Sequence, residues 1–382
     1  MVSQFQNSCL VRKLLNSSLI FLSLLTFFSC SGKDKSIQKE NVSYVSLTTH
    51  SKLLTIKSND SIWTVTVKNP WQKSVDTEIQ YLFSESHKCE NCIHIPVKKV
   101  ICFSSSHVAM ISALGKQESI KGISGLKYIC DSTVNVLAGN GNIIETGYED
   151  NLNYELLIKE KPDVALIYGV GTEHARYISR LEELGIQVIY VAEYLENHPL
   201  GRLEWIKLFG ILFNEYNKAE SIFNIKAGIY DSLCKISYNN QNRPVVFSGS
   251  PIGDNWYVPG GISFMANLIK DAGGNYIFAE NKQNESFTIS LETAYKNLFV
   301  SDIWINCDIP SSVLYSDGSR YLNIPPAKMK NVYSNNNIIN KSGGNDFWES
   351  AVVFPELLLK DLINIIDTKS DTNYNFKYYR NL

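Results

Sequence analysis

Asn217-Lys-Ala-Glu-Ser-Ile-Phe-Asn-Ile-Lys-Ala-Gly-Ile-Tyr-Asp-Ser-Leu-Cys-Lys-Ile-Ser237 is the stretch around which this 382-residue chain is organised. Ala219, Ile222, Phe223, Ile229, Tyr230, Leu233 and Ile236 recur at the three-to-four spacing of an amphipathic helix. Lys218, Glu220, Lys226 and Lys235 fill the gaps, and Pro244 ends the pattern after Asn239-Asn-Gln-Asn242. A helix of about 20 residues is roughly 30 Å long, the width of a small domain.

The sequence reads alike on its two sides. Before it, Glu155-Leu-Leu-Ile-Lys-Glu-Lys-Pro-Asp163 runs into the apolar Val164-Ala-Leu-Ile-Tyr168. After it, Glu292-Thr-Ala-Tyr-Lys-Asn-Leu-Phe-Val-Ser-Asp302 runs into Ile303-Trp-Ile-Asn306. Each half also opens with a strand that ends in a small-residue turn, Lys99–Phe103 before Ser104 and Val245–Ser248 before Gly249. Strand, helix and strand in that order build parallel sheets. The expectation is an α/β molecule of two Rossmann-like βα lobes joined by a single long α-helix; the competing arrangement is one large doubly wound sheet.

Length alone asks for more than one domain, because single cores stop growing at roughly 250–300 residues. A net charge of −2 leaves no basic footprint, so nucleic acid is not an expected partner. Arg12-Lys13, the apolar run Leu19–Phe28 and Ser29-Cys30 resemble a bacterial lipoprotein signal, in which Cys30 becomes the lipidated first residue. The run is too short to span a bilayer as a stable helix. Residues 1–29 are then the signal and 30–41 a lysine-rich tether at a membrane. Residues 42–96 read as a small β extension, since Ile62–Lys68 alternates as a half-buried strand does and Glu78–Phe83 can pair back on it. The lobes are expected at 97–198 and 241–370, with connecting helices at 199–240 and a tail at 371–382.

Cys89-Glu-Asn-Cys92 has no second pair to complete a zinc site, so a short-range disulfide or two free thiols is expected. Tyr168-Gly-Val-Gly lacks the third glycine of a dinucleotide fingerprint. The hydroxyls of Ser104-Ser-Ser106 suit a helix cap better than a nucleophile, as adjacent residues do not face one another. No motif for catalysis is found, and no enzyme is expected.

From Val97 to Ile366 the chain resembles the substrate-binding proteins of ATP-driven iron-complex and cobalamin importers. The resemblance rests on Val100-Ile-Cys-Phe-Ser-Ser-Ser-His107 with Leu114-Gly115, and on Asn153-Tyr-Glu155 through Asp163. Beyond the helix it rests on Pro259-Gly-Gly-Ile-Ser263, Ala272-Gly-Gly-Asn275, Ser290-Leu-Glu292 and Asn345-Asp-Phe-Trp348. The segment Pro199–Lys207 and the β extension look like a branch from the Bacteroidetes lineage. The resemblance implies a monomer that captures a metal chelate between its lobes, with no permanently bound cofactor. It implies delivery to an ABC permease with its ATPase, docked through Glu155 and Glu292.

The loops that this family uses for binding carry Ser105, Ser106, His107, Tyr128, Tyr148, Tyr168, Trp256, Phe287, Asp346, Phe347 and Trp348 here. Rings supply flat, rigid area for a planar or chelate-shaped ligand. Arginine, whose fork grips carboxylates and catecholates, is absent from these positions, with Arg176 and Arg320 held in reserve. The expected ligand is therefore a corrinoid, a hydroxamate-type ferric siderophore or haem. His107 is expected as a cap or hydrogen-bonded wall before a metal ligand. A surface or structural lipoprotein, or a ligand sensor outside transport, is the alternative on the same frame.

Overall fold

A computed structural model describes residues 46–59, 61–86, 89, 91–148, 151–169, 176–238, 243–253, 255–367 and 373–382. The expected signal, Cys30, the tether and the second glycine of Gly-x-Gly lie outside the described residues. No helix among the described residues is long and apolar enough to cross a membrane.

The chain opens with a sheet made of β1 (Leu54–Asn59), β2 (Ile62–Lys68), β3 (Glu78–Ser84) and β4 (Ile93–His94). The first three are an antiparallel meander in which Lys68 faces Glu78 and Trp63 faces Phe83, as the alternation at Ile62–Lys68 predicts. Leu54, Ile56, Val65, Val67 and Phe83 put the inner face of this sheet into the main core. Cys89 and Cys92 form a disulfide.

The first lobe follows with β5 (Val100–Cys102), α1 (Ser105–Ala113), β6 (Ile120–Ile123), α2 (Ser132–Gly139), β7 (Ile144–Glu145), α3 (Tyr154–Glu160), β8 (Val164–Ile167), α4 (Arg176–Glu183) and β9 (Gln187–Tyr190). Its five strands are parallel in the order β7-β6-β5-β8-β9. Val164–Ile167 is buried on both faces, which is why it reads as a continuous apolar run rather than an alternating one.

The joint comprises α5 (Pro199–Glu204), α6 (Ile206–Leu212) and the 23-residue α7 (Tyr216–Tyr238). Lys218 Nζ caps the end of α1 through Leu114 O at 2.7 Å, and Glu215 pairs with Lys116 at 2.6 Å. Further along, Lys226 meets Glu356 at 2.8 Å and the Tyr230 hydroxyl donates to Asp271 at 2.7 Å. One helix is thus fastened to both lobes. Ala219, Phe223, Ala227 and Tyr230 form its buried stripe against α6 and the second lobe. Ile229 and Ile236, expected on that stripe, are 46% and 65% exposed. At 100° per residue they fall on the flank, beyond the reach of the packing partners.

The second lobe holds β10 (Val245–Ser248), β11 (Ser250–Ile252), β12 (Asn255–Val258), α8 (Phe264–Asp271), β13 (Asn275–Tyr276), β14 (Phe287–Ile289), α9 (Leu291–Leu298) and β15 (Ile303–Ile305). Three strands are parallel in the order β13-β10-β15, beside an antiparallel β11-β12-β14 sheet. Then come α10 (Ser311–Leu314), α11 (Pro325–Lys328), β16 (Tyr333–Ser334), α12 (Asp346–Glu349), α13 (Pro355–Ile366) and β17 (Arg380–Asn381). Asp361 accepts from the backbone N–H groups of Lys377, Tyr378 and Tyr379, which holds the tail against α13. The mixed α/β architecture with two parallel sheets and a joining helix is the expected fold class.

Candidate ligand-binding cleft

A cavity of about 590 Å³ lies between the lobes. Ser104, Ser105, Ser106, Tyr168, Glu193 and Tyr194 of the first lobe line it, facing Phe264, Ser286, Phe347 and Trp348 of the second. Arg202 of α5 and Gln72 of the β extension also line it, with Ala351, Val352 and Leu358 of the second lobe.

The end of β5 delivers the serines. Ser104 caps α1 by accepting the Ser106 N–H at 3.3 Å, so the hydroxyl there is a cap as its sequence position suggests. The Ser106 hydroxyl lies 2.7 Å from the Ser104 hydroxyl and donates to Glu193, which sits in a short turn after β9. Glu193 is buried, and burial pushes its carboxyl up; the Ser106 bond and the Arg202 charge pull it back. Arg202 donates to the carbonyls of Tyr194 (2.8 Å) and Glu196 (3.1 Å) and lies 3.8 Å over the Phe264 ring. Burial pulls this guanidinium down to about 10, so it stays charged at neutral pH. Among the described residues the floor therefore carries one cation, Arg202, with the Glu193 carboxyl beside it.

On the far wall Phe347 is buried and holds Trp348 edge-to-face at 4.7 Å, leaving Trp348 61% exposed to the cleft side. Ser105 reaches the Trp348 carbonyl at 3.4 Å, a direct bond between lobes. A second bridge lies outside the cleft, where Glu349 accepts the N–H groups of Cys130 (2.6 Å) and Asp131 (2.8 Å). Gly344 belongs to that bridge, since a Cβ there would stand 1.8 Å from the Tyr128 carbonyl.

Of the positions expected at the site, Ser105, Ser106, Tyr168, Phe347 and Trp348 come together. The others lie elsewhere. His107 is fully buried beneath the floor with Nδ1 3.2 Å from Leu166 O, and burial pushes it down to about 3, so it is a neutral wall. Tyr128 and Tyr148 form an exposed pair against Gly125, away from the cavity lining. Trp256 is sealed in the second lobe's core against Phe247 and Trp304, because β12 turns its ring inward. Phe287 packs on Phe278 and leaves its neighbour Ser286 to face the cleft. Asp346 pairs with Lys377 at 3.0 Å and lines a separate space of about 410 Å³. Arg320 lies beside Tyr321 in the second lobe, not in the cleft lining. Among the described residues no group of three His, Cys, Asp or Glu is placed to hold a metal ion.

Glu193, Tyr194, Arg202, Gln72 and Phe264 are absent from the sequence expectation. For Arg202 a signal existed: Arg202, Glu204 and Lys207 interrupt the apolar run Leu200–Leu212, and charges embedded in a buried helix are paired or put to use.

Two lobes, one joining helix and a ring-lined cleft define a substrate-binding protein. The family model described as periplasmic binding protein matches residues 100–305, and the chain belongs to that family. Its members are substrate-binding proteins of the cell envelope that serve ABC permeases with small-molecule ligands, rather than enzymes. An uncharacterised lipoprotein of Methanocaldococcus jannaschii is 29% identical over 301 residues, 75% of this chain and 70% of its own length. A structure from an ABC-type Fe3+-hydroxamate transport system of Saccharomonospora viridis superposes with TM-score 0.53 at 18% identity, over 79% of this chain and 99% of that one. A periplasmic haem-binding protein of Pseudomonas aeruginosa gives 0.52 at 14% identity, over 72% and 94%. These structural likenesses carry the fold.

Proposed function

We propose that the protein captures a metal chelate, namely a hydroxamate-type ferric siderophore, haem or a corrinoid, in the interlobe cleft and passes it to an ABC permease. The observation that carries this reading is the cleft floor, where Arg202 is balanced by Glu193 amid Tyr168, Tyr194, Phe264, Phe347 and Trp348. Rings favour a broad, rigid ligand, and a nearly neutral floor favours a chelate of low net charge over a polyanionic catecholate. The volume of about 590 Å³ is within the range of sites that enclose a drug-sized molecule. Glu155 and Glu292 are exposed in the first turns of α3 and α9, two residues beyond the caps Asn153 and Ser290, and supply the docking charges. Lipid on Cys30 holds the protein at the envelope membrane. The lipid-free protein is titrated with haem, cobalamin, a ferric hydroxamate and a ferric catecholate while tryptophan fluorescence is followed. Quenching at micromolar ligand, lost in Trp348→Phe, is the expected result; response to the catecholate alone would overturn the ligand class.

A further inference from the structure

The β extension lies outside the residues that match the family, which begin at Val100, yet it reaches the cleft. The reach is made by the connection between β2 and β3, residues 69–77. This loop is closed on itself: Asn69 N–H donates to Thr77 O at 2.7 Å, Thr77 N–H to Asn69 Oδ1 at 3.2 Å, and Ser74 N–H to Trp71 O at 3.1 Å. Asn69, Lys73 and Asp76 all have positive φ, so the chain there is tightly folded rather than extended.

The loop is also clamped onto the first lobe. Trp71 bridges to Gly169, where a Cβ would stand 2.5 Å from the Trp71 Cβ, so only glycine admits the contact. The Trp71 ring packs on Tyr190 at 5.5 Å, and the Tyr190 N–H donates to the Tyr81 hydroxyl of β3 at 3.0 Å. Tyr194 is the keystone. Its hydroxyl donates to Gly169 O and lies close to the Gln72 backbone N–H, while its carbonyl accepts from Arg202. One tyrosine in the cleft wall thus ties together the extension loop, the end of β8 and the cleft's cation.

At the other end of the extension, Glu204 and Glu196 anchor the segment before β1. Glu204 accepts the N–H groups of Thr49, His50 and Ser51, and Glu196 those of Lys52 and Leu53. Both carboxylates are buried, on or beside α5. A sheet held at both ends, with a rigid loop delivered to the rim of a ligand cavity, is placed to touch what enters it.

We propose that loop 69–77 is a third wall of the binding site and that Gln72 is a selectivity contact, reading amide, carboxyl or hydroxamate oxygens and N–H groups at the edge of the chelate. A primary amide both donates and accepts, which suits a periphery of mixed polar groups around an apolar body. This inference rests on the chelate reading above.

The test uses the lipid-free full chain and its Gln72→Met and Tyr194→Phe forms, titrated with haem, cobalamin and a ferric trihydroxamate. Gln72→Met keeps the volume and removes the polar atoms, so its melting temperature should match the wild type. The expected result is a loss of about three- to tenfold in affinity for the best-bound probe, the size of one hydrogen bond, with a smaller change for the weaker probes. Tyr194→Phe, which removes the hydroxyl's bond to Gly169 O beside the loop, should lower affinity and raise proteolysis within 69–77. If the wild type binds a probe and Gln72→Met keeps both affinity and ranking, the third wall is refuted while the chelate reading stands. If the wild type binds none of the three, the chelate reading and this inference fall together.

Discussion

Asp163 and Asp302 hold the same place in the two lobes. Asp163, just before β8, accepts the N–H groups of Lys98 (2.7 Å) and Lys99 (2.9 Å), and its own N–H returns to Lys99 O at 2.9 Å. Asp302, just before β15, accepts the Val245 N–H at 2.8 Å and returns its N–H to Val245 O at 2.9 Å. The repeated aspartate in the sequence is therefore a strand clamp. In both lobes it satisfies backbone donors where the neighbouring parallel strand begins. Asp163→Ala and Asp302→Ala should each cost about 1 kcal/mol, somewhat more at Asp163 with its two bonds. Urea unfolding midpoints check this; no loss at either site would remove the clamp.

Glu193→Gln keeps a partner for Ser106 but leaves Arg202 without its countercharge. Its expected effect is a gain of about five- to tenfold in the affinity ratio of a triply anionic ferric catecholate over a neutral ferric hydroxamate, roughly 1 kcal/mol. Because burial raises the Glu193 carboxyl, its neutral form gains ground as pH falls. Acidification should therefore lift the same ratio in the wild type and leave the Gln form unmoved. Competition titrations at two pH values read both effects.

The Glu349 bridge makes stability depend on pH. Burial first, with help from Asp346 and Asp131, pushes its carboxyl up to about 7, against the two N–H bonds that favour the charged form. A carboxyl raised on folding contributes stability that is full below its ordinary value near 4.5 and is lost as pH rises through about 7. Across that window the wild type should lose on the order of 1 kcal/mol per pH unit at most, and Glu349→Gln should lose much less. Melting temperatures at pH 5, 6, 7 and 8 decide it. Parallel curves for the two forms would mean that Glu349 does not titrate there.

Reversing charge at Glu155 and Glu292 together should abolish uptake while chelate binding stays within about twofold, because both side chains are exposed and outside the cleft lining. Single reversals should fall between. Cells that retain uptake with the double variant would exclude these carboxylates from docking.

Cys30→Ala should move the protein from the membrane pellet to the soluble fraction. Acyl burial contributes about 0.8 kcal/mol per methylene, so removal of the proposed lipid should release the chain. Unchanged fractionation would show that something other than lipid holds it.

The parts of the fold legible in sequence are those that local chemistry dictates. The clamp aspartates, the Ser104 cap, the β2–β3 alternation and α7 each leave a pattern within a few residues. The cleft was legible where a loop follows a strand end, as at Ser105, Ser106 and Tyr168, or where rings stand beside a cap, as at Phe347 and Trp348. Trp256 shows the limit: strand alternation tells that Trp256 and Tyr257 face opposite ways, but not which face the core takes. Glu193 and Arg202 were hidden for another reason. Their meeting depends on how the turn after β9 folds back under α1, a tertiary arrangement with no periodic trace.

The anchoring of residues 49–53 by Glu204 and Glu196 ties the start of the β extension to the joint between the lobes. The segment that leads into β1 is fixed by buried carboxylates at the start of the joint, not by either parallel sheet. Under the proposed lipid anchor, a pull along the N-terminal segment would meet this seam before it met either lobe's parallel sheet.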